Sequence, residues 1–185
     1  MKKNGYTLIE LLVALTVFTI VVAAPTGFFV SALKGQQKAL ASQELYDNVS
    51  YTLEYMSRSL RMAKKDYSGS CITANMNYET TTDGHNVKFK TIDENYNEIC
   101  QEFFLDTNDN RLKEIKNGIT LPLTARNLEV VSFIVGDHGW GQDDYDQPKV
   151  TLFLEIRGKR GSLPELQPEI KIQTSVSQRN LDIRY

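Results

Sequence analysis

Apolar positions are spread unevenly along this chain. From Leu11 to Leu33 twenty-three residues pass without a charge, enough for an α-helix rising 1.5 Å per residue to cross a hydrocarbon layer of roughly 30 Å. Beyond Lys34 the apolar residues thin out and become periodic. Leu45, Val49, Leu53, Met56, Leu60 and Ala63 recur at steps of four and three, the period of an amphipathic helix. No Pro or Gly interrupts residues 36 to 64, so the pattern predicts one helix joining both parts, about 58 residues and roughly 87 Å long. Its stripe is expected to be buried against the chain's own sheet.

The second half alternates instead. Val87, Phe89 and Thr91; Ile99, Gln101, Phe103 and Leu105; Val131, Phe133 and Val135; Val150, Leu152, Leu154 and Ile156; and Ile170, Ile172, Thr174 and Val176 fall at every second position, the mark of half-buried strands. DTNDN at 106 to 110 predicts a hairpin turn, and glycines punctuate the remainder. From Asp66 to Asn86 the chain turns to Ser, Gly, Asn, Thr and Asp, which predicts a surface connection. A helix followed by strands of this kind gives an α+β fold with an antiparallel sheet packed on the helix.

A chain of 185 residues holds one domain with a real core plus an appendage. Lys and Arg number 21 against 23 Asp and Glu; without Lys2, Lys3 and Glu10 the remainder carries about −3, which gives no reason to expect nucleic-acid binding. Lys2 and Lys3 before the apolar run favour a cytoplasmic amino terminus. The run continues through Phe28, Phe29 and Val30 with no cleavage site of the small-x-small type behind it, so its removal as a secretory signal is not expected. Pro25 withholds a backbone donor inside the span, and Gly27 adds to the weakness, which predicts a kink or local melting near residues 21 to 27. An ionised carboxylate such as Glu10 at the edge of a bilayer core costs free energy unless it is paired or neutralised. Two readings of it stand: a residue of a plain signal anchor at the headgroup level, or one that meets a cation from elsewhere.

Residues Lys2 to Glu10 read KKNGYTLIE and run on into LLVAL. This stretch resembles the class III signal of type IV prepilins and pseudopilins. The resemblance implies that a membrane aspartyl peptidase, the prepilin peptidase, cuts after Gly5 and that Tyr6 becomes the N-methylated terminus, where the family usually has Phe. It also implies that Glu10 pairs with the terminal amine of a neighbouring subunit during assembly. Cation and anion attract strongly in a low-dielectric helical core, so such a pair offsets the desolvation each suffers. A proline like Pro25 is common in the family, where the weakened stretch unwinds on packing into a filament; a passive kink is the other reading. The runs LTARNLEVVSFIV, KVTLFLEI and QTSVSQRNLD resemble the minor pilin and minor pseudopilin branch.

The expected fold is pilin-like, with a leader at 1–5, a transmembrane helix half at 6–35 and an extracytoplasmic α+β domain at 36–185. The expected role is that of a minor pilin or pseudopilin in a type IV pilus or a type II secretion-like filament. Such a chain is anchored by a single pass in the inner membrane with its amino terminus cytoplasmic, and its partners are other pilins or pseudopilins and the prepilin peptidase. The alternative is a membrane-tethered extracytoplasmic binding protein or enzyme that uses the helix only as an anchor.

Cys71 and Cys100 are the only cysteines. An oxidising compartment lets them pair and staple the polar loop to the strand at Ile99, whereas a reducing one leaves two free thiols; the bridge is the expectation. Asp106, Asn108 and Asn110 fit the first positions of a calcium loop, yet Arg111 replaces the required Gly and Asn117 stands where the bidentate Glu belongs, so a turn is expected. In GDHGWGQDDYDQP, residues 136 to 148, Asp137, His138, Asp143, Asp144 and Asp146 have the chemistry of a divalent-cation site and equally the composition of a solvated loop. No metal and no cofactor are expected. His85 and His138 sit in no nucleophile motif and no phosphate loop occurs, so no enzymatic activity is expected. Trp140 either meets a partner surface or folds back onto its own domain.

Overall fold

The apolar and amphipathic segments join in a single 54-residue helix, α1 (Leu8–Arg61). This computed structural model describes residues 5–93, 95–141, 146–159 and 167–179, apart from the side chain of Ala24. After α1 come β1 (Tyr78–Glu79), β2 (Asn86–Ile92), β3 (Glu98–Asp106), β4 (Arg111–Lys116), β5 (Ile119–Pro122), β6 (Leu128–His138), β7 (Lys149–Gly158) and β8 (Glu169–Ser177). The chain divides into two compact units, Met1–Leu40 and Ala41–Tyr185.

In the second unit the fold is α+β, a helix on antiparallel sheets, as the periodicities predict. The strands part into two sheets, β1-β2-β3-β4-β5 and β6-β7-β8, every pairing antiparallel. Main-chain bonds from Val130 to the Asn110 carbonyl (2.8 Å) and from Val135 to that of Gly84 (2.9 Å) tie β6 to loops of the first sheet. His85 adds a third tie, its Nδ1 donating to the Phe133 carbonyl at 2.7 Å. One core results: Leu45, Val49, Met56 and Leu60 of α1 pack with Phe89 and Phe103 of one sheet and Phe133 and Leu152 of the other. Each fully buried side chain of this size contributes about 1.5–3 kcal/mol.

Three departures from the sequence pattern have local causes. Val131 is 42% exposed, although its spacing predicts a place on the buried face with Phe133 and Val135. The pairing with β7 slips between Val130 and Ser132, so a bulge turns Val131 outward and puts Val130 into the core instead. The helix stops at Arg61, short of residue 64, and tertiary donors take carbonyls at its end and just beyond it. Tyr78 Oη bonds the Leu60 carbonyl at 2.8 Å and Gln178 Nε2 that of Ala63 at 2.7 Å. The Arg179 amide reaches Arg61 O at 2.9 Å. Finally, the polar stretch from Asp66 to Asn86 is no plain surface connection. Asp66, Ile72, Asn77 and Tyr78 within it are buried.

Candidate functional site

The amino-terminal segment is built around a helix boundary. Gly5, Tyr6 and Thr7 are non-helical and α1 opens at Leu8. Thr7 is the cap: its Oγ1 accepts the Glu10 amide at 3.4 Å and its carbonyl accepts the Leu11 amide at 3.3 Å, satisfying donors that the first helical turn leaves unpaired. Tyr6 is 86% exposed, and nothing lies within 4 Å of where a Cβ on Gly5 would stand. The expected scissile peptide therefore sits in open, non-helical chain one residue ahead of the cap. The role of Thr7 emerges only here, although Thr7-x-x-Glu10 before an apolar run is a capping-box signature.

Downstream, the first unit presents its apolar side chains outward, and α1 contains a window long and apolar enough to cross a membrane, with mean hydropathy 2.4. Polar groups there are satisfied locally. The hydroxyls of Thr16, Thr19 and Thr26 donate back to carbonyls of their own helix at 2.8 Å, to Val13, Thr16 and Val22 respectively, as suits a water-free surrounding. The Glu10 carboxylate has no such arrangement, for no cation pairs with it among the described residues. Its place in the first helical turn gains from the helix dipole, which does not replace a partner in hydrocarbon. At Pro25 and Gly27 the helix is unbroken, although Pro25 has no N–H to offer the Val21 carbonyl.

The second unit holds a contrasting carboxylate. Asp66 is 0% exposed and its two oxygens accept from the amides of Cys71 (2.6 Å), Gly69 (3.1 Å), Ser68 (3.2 Å) and Ile72 (3.2 Å) and from Ser68 Oγ (3.0 Å). Lys90 Nζ stands 3.4 Å from Asp66 and 2.6 Å from Glu98. Burial works to raise the Asp66 pKa, but the Cys71 and Ile72 amides and Ser68 outweigh it and hold the carboxyl well below the usual range. Glu98 first, and Asp66 with it against the effect of burial, keep Lys90 above its ordinary value. The same loop is closed by a disulfide between Cys71 and Cys100, Cα atoms 5.4 Å apart.

Other sequence candidates resolve into structure. Asp106 caps the β3–β4 turn, accepting the Asn108 amide at 2.9 Å and pairing with Lys113 at 2.5 Å; Lys113, then the Asn108 amide, lower its pKa to about 2. In the acidic loop His138 Nε2 lies 3.7 Å from Asp146, Asp137 is exposed, and Asp143 and Asp144 fall outside the described residues. No three His, Cys, Asp or Glu side chains gather as metal ligands among the described residues. Trp140, 6% exposed, folds back: its Nε1 donates to the Lys149 carbonyl at 2.9 Å and its ring lies 5.5 Å from that of Tyr78. Between helix and sheet, Tyr55 Oη (2.8 Å) and Gln101 Nε2 (2.8 Å) donate to the buried Glu114. Burial first, and that carboxylate second, push the phenol pKa up to about 12.

Residues 1–24 fit the family model described as the prokaryotic N-terminal methylation motif, the type IV prepilin signal, which spans Gly5, Tyr6, Thr7 and Glu10. No curated protein and no solved structure matches the chain. The motif supports a type IV pilin-like protein processed by prepilin peptidase, structural rather than catalytic in kind. Together with the apolar helix it fits a protein anchored in the inner membrane and incorporated in a filament.

Proposed function

We propose that this chain is a minor pilin or pseudopilin: cut after Gly5, methylated on the new Tyr6 amine, and built into a filament by pairing Glu10 with the terminal amine of a neighbour. The helix would cross the inner membrane once, with Lys2 and Lys3 on the cytoplasmic side and residues 36–185 outside. One observation carries this reading. Directly behind the exposed Gly5–Tyr6 peptide, the helix sets a carboxylate that has no partner among the described residues, amid apolar side chains that its own unit leaves uncovered. The disulfide supports an extracytoplasmic second unit, because such bridges persist in oxidising compartments. Pro25, where the ladder lacks one bond, is the place at which α1 would give way on packing into a filament. Amino-terminal sequencing and intact mass of membrane-extracted protein should find Tyr6 first and one methyl group added. A retained Met1 or Lys2 returns the chain to a plain membrane anchor.

A further inference from the structure

We infer that Thr7 is a positioning residue for the cleavage: by capping α1 it keeps the Gly5–Tyr6 peptide out of the helix. The inference rests on the reading of Gly5 as the residue before the cut. Hydrolysis adds one water across that amide, leaving a carboxylate on Gly5 and an amine on Tyr6, and the peptidase must reach the carbonyl carbon and lay the flanking chain in its cleft. Inside a helix turn the carbonyl is engaged along the axis and the chain is coiled, so neither requirement is met.

Thr7 sets the boundary that prevents this. A capping residue's carbonyl accepts the first helical bond while its side-chain oxygen takes an amide of the first turn, and Thr7 does both, with Leu11 on its carbonyl and Glu10 on its hydroxyl oxygen. Upstream, the chain offers a competing cap, since Asn4 belongs to the residue types that start helices well. A helix begun from Asn4 would wind Gly5 and Tyr6 into its first turn. The hydroxyl of Thr7 thus decides between a start that frees the scissile peptide and one that buries it in helical hydrogen bonding.

The two properties of Thr7, its shape and its acceptor oxygen, separate cleanly by substitution. T7V keeps the shape and removes the acceptor; T7S and T7D keep an acceptor and change the shape. In the full-length protein, co-expressed with a prepilin peptidase and followed by pulse–chase, T7V should be cut about fivefold more slowly than wild type, the factor that one lost helix cap corresponds to. T7S and T7D should be cut at close to the wild-type rate, and protease protection should find all four proteins equally inserted. Cleavage of T7V at the wild-type rate, or equal slowing of T7V, T7S and T7D, overturns the inference while leaving the cut after Gly5 in place. A wild-type chain that keeps residues 1–5 overturns the reading beneath it as well.

Discussion

Two carboxylates, one in each unit, meet opposite conditions. Asp66 lies with both oxygens occupied by amides, a hydroxyl and a lysine of its own unit. Among the described residues, Glu10 sits on an apolar helix and is offered nothing beyond the dipole of the turn it belongs to. Burying a charge costs several kcal/mol unless hydrogen bonds and a counter-charge offset it, so the first arrangement is complete and the second, among the described residues, is not. The difference separates a carboxylate that stabilises its own unit from one for which the described residues supply no counter-charge.

The sharpest way to break this comparison is to remove Glu10. If it marks only the headgroup boundary, Glu10→Ala makes the span more apolar and leaves insertion, cleavage and function intact. Should it meet a neighbour's terminal amine, the change strands that amine in the helical core, at a cost of about 3 to 5 kcal/mol. The expected result is protein that is processed and inserted but no longer co-purifies with its filament partners. Normal co-purification would reduce Glu10 to a bystander.

The loop around Asp66 is held twice, and the covalent hold should be the larger. For a sequence separation of 29 the chain-entropy estimate is roughly 3.5 kcal/mol. Reduction, or the double change Cys71→Ser with Cys100→Ser, should lower the urea midpoint of the second unit accordingly. Thiol labelling of unreduced, folded protein should find no free cysteine; full labelling would contradict the bridge.

Asp66→Asn comes next, at about 2 to 3 kcal/mol, because an amide nitrogen then faces amide donors that had shared a carboxylate. This effect has a pH signature. The folded-state pKa of Asp66 lies below its unfolded value of about 3.9, so its stabilisation is present in full above about pH 4 and declines as pH falls further. The gap in unfolding free energy between wild type and Asp66→Asn should therefore be wide at pH 7 and narrower at pH 3. A gap of equal width at both would mean that the carboxylate's charge is not what holds the loop.

Much of this was legible in the sequence. The uncharged run, the stripe from Leu45 to Ala63 and the five alternating segments were visible because burial of a regular element leaves a periodic trace. Thr52 shows the resolution of that trace: it is buried on the stripe where Leu53 was read, and its hydroxyl is hidden in a bond to the Asn48 carbonyl at 2.9 Å. Two signals were present and unread. Asn117-Gly118 closes the β4–β5 hairpin, its φ values of 52° and 77° being those a two-residue primed turn demands, and Thr7-x-x-Glu10 marks the helix start. Asp66 had no readable signal. Its burial depends on Lys90, 24 residues away, and on a loop fold that gathers four amides, neither of which local composition encodes.

The smallest expected effect is none at all, and it tests the comparison from the side of the apolar helix. The core of the second unit begins at Leu45 and includes no residue before it, and the hydrogen bonds of Asp66, Glu114 and the end of α1 all fall beyond that point. A fragment starting at Gln36 loses the exposed apolar surface of Leu8 to Leu33 together with Glu10, while keeping every contact that encloses Asp66. It should be soluble and monomeric, with the helix-and-sheet circular dichroism of a folded domain. Substitutions remote from a core shift stability by about 0.5 kcal/mol or less, so the fragment's unfolding free energy should match that of the detergent-solubilised full chain within about that margin. Aggregation or a coil-like spectrum would show that the second unit draws stability from residues before Gln36. In that event Glu10→Ala would have to be re-examined as a change in folding before it was read as a change in assembly.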